Sequence, residues 1–281
     1  MTETLGLIAG SGRFPILFAH EARRAGAAVV AVAIAGVTEG ELGDIVDKLK
    51  TFKLGQISAP LKFLKNAGVR RVIMAGKVQH ASLFGGIFPD LRAVKILAGL
   101  KDRRTDTVLS ALAAEFAKEG IELISSATFL SHLLAPPGIW TQRKPTPAEN
   151  KDIDLGWRAA KAVAAVDIGQ TVVVQEAAVV AVEAMEGTDA AVLRAAQIAA
   201  SHGQKPSLVV VKVAKPRQDF RFDLPVIGLE TLKTFKTACV RVLAIEAGKA
   251  LVFDRAEFVA KADALGLAIV ARVEAPETRP E

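Results

Sequence analysis

Leu5-Gly6-Leu7-Ile8-Ala9-Gly10-Ser11-Gly12 decides how this chain is read. The first five residues form a buried strand pattern, and a Gly-Ser-Gly turn follows. Arg13-Phe14-Pro15 starts a helix that runs to about Gly26, with Pro15 in a first turn where its missing N–H costs nothing. Ala27 to Ile34 is a second apolar run. Strand, glycine-rich turn, helix, strand is how nucleotide-binding α/β folds open. The turn brings backbone N–H groups close to a phosphate or sugar, which makes Gly10, Ser11 and Gly12 substrate-binding candidates. It is not a complete dinucleotide fingerprint, because Pro15 stands where G-x-G-x-x-G needs its third glycine. Ala33 and Ile34 stand where an acidic residue would hold a ribose. Both departures argue against a nicotinamide-dependent oxidoreductase.

The same pattern continues outward from this stretch. Ser58 to Ala67 reads as a helix closed by Gly68, and Arg70 to Ala75 as a strand. That strand ends in Gly76-Lys77-Val78-Gln79-His80. Ligands of open α/β sheets sit at strand carboxyl ends, so Gly76, Lys77 and Gln79 join the candidates. Ala81 to Pro89 is a Gly/Phe-rich loop suited to an acyl chain. Asp90 to Leu100 and Asp106 to Glu119 read as helices, the second with Val108, Leu109, Leu112 and Phe116 at helical spacing. Asp106 caps its helix and is also a substrate-binding candidate. Ile121 to Ile124 is a further strand.

Four of the twelve prolines fall between Ala135 and Pro147. Residues 135–148 therefore read as a linker between domains 1–134 and 149–281. Beyond it come a helix from Glu149 to Val166 and a strand pair, Thr171 to Gln175 and Ala177 to Glu183, turning at Glu176. Glu186-Gly187-Thr188-Asp189-Ala190 then opens a helix, with Thr188 or Asp189 as its N-cap. Such a helix start favours an anionic group, because its open N–H groups and dipole carry positive charge. Ser207 to Val213 is a strand that delivers Lys212 and Lys215 into a polar loop ending at Asp223-Leu224-Pro225. A loop so dense in charge and pinned by proline is a poor spacer and a good site. Helices from Gly228 to Lys236 and Asp254 to Leu265 and strands from Cys239 to Ile245, Ala250 to Phe253 and Leu267 to Val273 complete the domain. The expected class is α/β: an N-terminal Rossmann-like parallel-sheet domain and a C-terminal α/β (α+β) domain joined by the Pro-rich linker.

Composition removes other classes. The chain has 281 residues and a net charge of +6. A basic balance suits an anionic partner or membrane surface. Nucleic acid is not expected, because no basic run is interleaved with aromatic residues. Cys239 is the one cysteine and reads as a buried small hydrophobe, and His20, His80, His132 and His202 lack metal-site spacing. No apolar run reaches the roughly 20 residues needed to cross a bilayer, and no signal peptide opens the chain. The expected location is the cytoplasm.

An ordered set of stretches resembles the UDP-2,3-diacylglucosamine pyrophosphatases of the LpxI type. They are Leu5 to Gly12 with Pro15, Ala75-Gly76-Lys77-Val78, Asp167-Ile168-Gly169-Gln170, Val182 through Ala190, Lys212 through Pro216, and Asp223 through Gly228. A third glycine is common in the family where Ser11 stands, and a threonine where Val226 stands. The resemblance implies magnesium-dependent hydrolysis of the pyrophosphate of UDP-2,3-diacylglucosamine. The products would be UMP and 2,3-diacylglucosamine 1-phosphate (lipid X), on the way to lipid A. It also implies two domains, a homodimer and a Gram-negative source. The residues agree with that chemistry: Lys77, Lys212 and Lys215 supply charge for a dense anion, and Asp189 and Asp223 supply the hard oxygens magnesium takes. Asp223 is assigned to metal binding or water activation. Thr188 and Asp189, with Gly187, are assigned to the phosphates or hydrated metal. The basic surface implies peripheral contact with the inner membrane. A sugar-nucleotide-binding regulator is the alternative from another class, though it gives no reason for the polar Lys212–Asp223 loop.

Overall fold

The computed structural model describes residues 3–78, 89–101, 105–203, 205–216, 219–222 and 224–273, without the side chains of residues 105 and 106. The chain divides into two units, Met1–Ser131 with Asp219–Asp223, and His132–Gln218 with Leu224–Glu281. Among the described residues no helix is long and apolar enough to cross a membrane.

The first unit is built on a parallel sheet of β1 (Thr4–Ala9), β2 (Ala28–Ile34), β3 (Lys48–Phe52), β4 (Arg71–Ala75) and β5 (Glu122–Leu123). Its strand order is β3-β2-β1-β4-β5, with every pair parallel. One face carries α2 (Ser58–Asn66) and α4 (Thr105–Lys118), whose Leu61, Leu64, Ala113 and Phe116 pack on Val30, Val32, Phe52 and Val72. Helix α1 (Arg13–Arg24) buries Phe18, Ala19 and Ala22 and lies outside that cluster. β3 was not foreseen, because KLKTF has a single buried residue, Phe52. An edge strand studded with lysine carries no apolar alternation to read, and its charge keeps the edge from pairing further.

Asp90 ties two helices of this unit together. It is the N-cap of α3 (Leu91–Ala98), where Oδ1 accepts from Ala93 N at 2.9 Å. Its Oδ2 accepts from Ile57 N at 2.9 Å and Ser58 N at 2.7 Å, at the start of α2. Burial pushes the Asp90 carboxyl up, but these backbone donors outweigh it and hold the group at about 2.

The second unit is a six-stranded mixed sheet in the order β6-β13-β11-β9-β7-β8. Its strands are β6 (Gly138–Ile139), β7 (Thr171–Gln175), β8 (Ala178–Val182), β9 (Leu208–Lys212), β11 (Val240–Glu246) and β13 (Ala268–Arg272), while β10 (Val226–Ile227) and β12 (Leu251–Val252) pair separately. β9, β11 and β13 are parallel, and β7 and β6 run antiparallel to their neighbours. Alternation along β9 splits the core. Val209 and Val211 face α5 (Pro147–Ala165). Leu208 and Val210 face α6 (Thr188–Ser201), α7 (Leu229–Thr237) and α8 (Arg255–Ala264).

Residues 135–148, read as a linker, are built into this unit. Ala135 is buried in its core, and Ile139 pairs with Val270. The buried Thr141 Oγ1 accepts from Ile269 N at 2.9 Å. Thr146 and Glu149 form a reciprocal capping box that starts α5 at Pro147. Proline here marks an N1 position and tight turns, not a free connector. Cys239 also departs from expectation. It is exposed, with φ +55°, in the turn before β11. A left-handed position at a strand's entrance takes the side chain out of the strand's alternation.

Candidate active site

In the first unit the candidate residues converge through backbone. The order β3-β2-β1-β4 makes the chain reverse direction between β1 and β4, and ligands of open sheets bind at the carboxyl ends of such a pair. Gly10–Gly12 follows β1 and Gly76–Lys77 follows β4. Gly10 N donates to Ala75 O at 2.8 Å, Ser11 N to Lys77 O at 2.8 Å, and Lys77 N to Ser11 O at 3.0 Å. Ser11 Oγ adds a bond to Lys77 O at 2.9 Å. The two turns touch so closely that side chains are excluded. A Cβ on Gly10 would lie 2.7 Å from Lys77 O, and one on Gly76 would lie 2.7 Å from Ser11 O. Gly76 also has φ +93°, a region L-residues rarely enter. The sequence spacing named both turns, and the structure brings them together. Gly12 N donates to Glu39 Oε1 at 3.0 Å, so a carboxylate stands at the start of α1. Gln79, Asp223, the Phe84–Phe88 loop and the side chain of Asp106 lie outside the described residues.

In the second unit the residues converge through side chains. Gly187, with φ +83°, is the N-cap of α6 and makes no side-chain cap bond. The expected cap by Thr188 or Asp189 is therefore corrected: Thr188 is the first helical residue and turns its hydroxyl elsewhere. Thr188 Oγ1 donates to Glu183 Oε1 at 2.8 Å and accepts from Lys212 Nζ at 2.6 Å. Thr171 Oγ1, on the fully buried Thr171, lies 3.3 Å from the same hydroxyl. A half-buried carboxylate and ammonium outbid the backbone N–H groups for that hydroxyl, because charge-assisted hydrogen bonds are the stronger kind. The helix N–H groups stay without a side-chain cap, and Asp189 is exposed in the first turn.

Glu183 was quoted in the sequence only as part of a motif, yet it anchors this cluster. Gln170 N donates to its Oε2 at 3.3 Å. Burial raises the Glu183 carboxyl, but Lys212, then Thr171, Thr188 and Gln170, outweigh burial and hold it below the ordinary carboxylate range. It is therefore ionised at neutral pH and keeps Lys212 aligned. The available signal was Glu183 at the end of a strand pair, five residues before Thr188. Lys215 is not part of this cluster: its Nζ lies 2.5 Å from Asp167 Oδ1, and Asp167 holds φ +60°.

The polar loop divides by unit. Arg221 chelates Asp219 through Nε at 2.9 Å and Nη2 at 2.6 Å. Phe220 O accepts from Ser126 N at 3.2 Å, and Phe222 packs on the α2–α4 cluster. Charge that read as a site here is paired within the loop, and Phe220 O and Phe222 hold residues 219–222 to the first unit.

An ammonium fixed between a carboxylate and a hydroxyl, beside an open helix N-terminus, suits a phosphate oxygen. Lys212 has three donors, and Thr188 takes one. Among the described residues no three His, Cys, Asp or Glu side chains gather as a metal site. One or two carboxylates completed by phosphate oxygens and water are a set that magnesium accepts, and Asp189 fits as one of them.

A Rossmann-like unit and a mixed-sheet unit make this a two-domain α/β protein. Residues 4–133 match the LpxI N-terminal domain, and residues 136–270 match the LpxI C-terminal domain. The chain belongs to the LpxI family. A relative from Caulobacter vibrioides, UDP-2,3-diacylglucosamine pyrophosphatase LpxI, is 33% identical over 282 residues, covering 98% of this chain and 99% of that protein. A solved structure of glycinamide-RNase-transformylase T from Mycobacterium tuberculosis aligns with 64% of this chain and 44% of its own, at 15% identity and a TM-score of 0.23. A likeness of that size carries no argument.

Proposed function

We propose that this protein hydrolyses the pyrophosphate bond of UDP-2,3-diacylglucosamine, releasing UMP and lipid X for lipid A biosynthesis. The observation that carries the reading is family membership across both units, end to end with a relative of that name. The Lys212–Thr188–Glu183 cluster supports it chemically. Cleaving a pyrophosphate requires neutralising charge that builds on phosphate oxygens, and preorganised donors do so without reorganising during the reaction. In this reading Lys212 binds a phosphate oxygen, Thr188 orients the ammonium, and Glu183 holds the Thr188 hydroxyl in place. The Gly10–Gly12 and Gly76–Lys77 turns offer close approach to the main chain. Asp189 or Asp223 would hold magnesium, which when bound supplies charge neutralisation and an acidified water. A homodimer and a cytoplasmic location belong to the same proposal, as does contact with an anionic inner-membrane surface, which the net charge of +6 supports.

Release of UMP from UDP-2,3-diacylglucosamine, followed by phosphorus NMR with magnesium and then with excess chelator, tests it. Metal-dependent release of UMP and lipid X is expected. A folded protein that releases neither overturns the hydrolase reading and favours the binding regulator. Release that survives the chelator removes magnesium alone.

A further inference from the structure

We infer that Glu246 is a positioning residue that holds the Lys212–Lys215 segment in register for phosphate binding; this rests on the reading proposed above. Glu246 ends β11, directly beside the end of β9, where Ile245 is the register partner of Lys212. It is 1% exposed, which is costly for a carboxylate unless every lone pair is used. Three donors use them. Lys161 Nζ, from α5, bonds both oxygens at 3.0 and 2.9 Å. Lys249 Nζ lies 2.6 Å from Oε1. Ala214 N donates to Oε2 at 2.8 Å.

That last bond gives the group its consequence. Ala214 stands between the two candidate phosphate lysines, just beyond the end of β9, where no ladder holds it. On one side Val213 N donates to Gln170 O at 3.0 Å, and Gln170 N donates to Glu183, the carboxylate that aligns Lys212. On the other side Glu246 takes the Ala214 N–H. Lys212 through Lys215 is thus gripped from both flanks by two carboxylates, one acting through Gln170 and one directly. Glu246 touches no candidate substrate group. Lys161 and Lys249 hold its two oxygens in place and leave the cluster one positive charge in surplus.

Two substitutions separate reach from charge. Glu246→Gln keeps an oxygen at the same distance for Ala214 N but removes the charge. Glu246→Asp keeps the charge but is one methylene short. If Glu246 positions the segment, Glu246→Asp lowers kcat for UMP release at least tenfold with a smaller change in KM, and speeds hydrogen exchange at the Ala214 amide. Glu246→Gln stays within about threefold in kcat and keeps that amide protected. Thermal melts of both variants accompany the assay. The inference is overturned if Glu246→Asp matches the wild type in kcat and in Ala214 exchange. It is also overturned if Glu246→Gln is as impaired as Glu246→Asp, or does not fold, since the group would then serve charge balance. Wild-type protein in the same series keeps the two readings apart. A wild type without UMP release fails the pyrophosphatase proposal, and an active wild type with an equally active Glu246→Asp fails this one.

Discussion

The two units hold their candidate residues by opposite means. In the first, two glycine turns are pressed backbone to backbone, and the N–H groups of Gly10, Ser11 and Lys77 are used in that contact. In the second, a lysine, a threonine and a glutamate on three different elements meet through side chains. Backbone contact between turns is a matter of shape and tolerates no added atom. A side-chain cluster is a matter of charge, so Lys212, whose ammonium bonds a side-chain hydroxyl, is replaceable without disturbing the main chain. The contrast predicts that substitutions in the second unit separate activity from stability, whereas those in the first change both.

The sharpest break would come at Lys212. Lys212→Met keeps the aliphatic stem and removes the charge, and kcat/KM for UMP release should fall by about 10²–10³. The melting temperature should stay near the wild-type value. A variant within tenfold of wild type would end the assignment of Lys212 to a phosphate. Gly76→Ala tests the first unit. Its Cβ would meet Ser11 O at 2.7 Å with φ at +93°, so a loss of about 1–3 kcal/mol is expected in urea denaturation, together with loss of activity. An unchanged midpoint would show that the turns separate easily.

Asp90 refines the comparison, because it is a charged group that serves structure alone. Asp90→Ala should cost about 1–2 kcal/mol through the loss of two helix starts, with activity per folded molecule unchanged. The pH dependence has a defined sign. The folded carboxyl lies at about 2, below its ordinary 3.8, so its contribution is complete above pH 4. The contribution shrinks as pH falls from 3.8 toward 2 and is absent below that. The stability gap between wild type and Asp90→Ala should close across that window, and a gap that persists at pH 2 would contradict the capping account. Cys239 marks the smallest effect. Its exposed thiol should react fully with an aromatic disulfide reagent in the folded protein. Cys239→Gly should alter stability by less than about 1 kcal/mol, since glycine accepts φ +55°. A thiol that reacts only in denaturant would place it back in the core.

Much of the fold was legible because its strands are doubly buried. Val29 to Ala33, Val172 to Val174 and Leu208 to Val211 read as continuous apolar runs, and parallel or central strands need such runs. β3 was not legible, since its exposed lysines carry no pattern. Residues 135–148 misled for a related reason: proline density signals turns, and whether turns lie free or are stitched to a sheet depends on partners such as Ile269, 128 residues from Thr141. The candidate site split in the same way. Gly10, Gly76 and Lys212 could be named from strand ends. The role of Thr188 could not, because a threonine at a helix start reads as a cap until a distant lysine is known to reach it.

By itself, the sequence determined the α/β class, the glycine turns at the ends of β1 and β4, and the basic, hydroxyl-bearing motifs of the second half. These follow from periodicity and from residue chemistry, which are local. Only the tertiary structure decided that Glu183 and not the helix N-terminus claims the Thr188 hydroxyl, that Lys215 pairs with Asp167, and that Asp219 and Arg221 pair with each other. Those outcomes are competitions among donors and acceptors, some of them as distant in the chain as Lys212 and Thr188. They are settled by which strands lie side by side and by the greater strength of charged hydrogen bonds away from water.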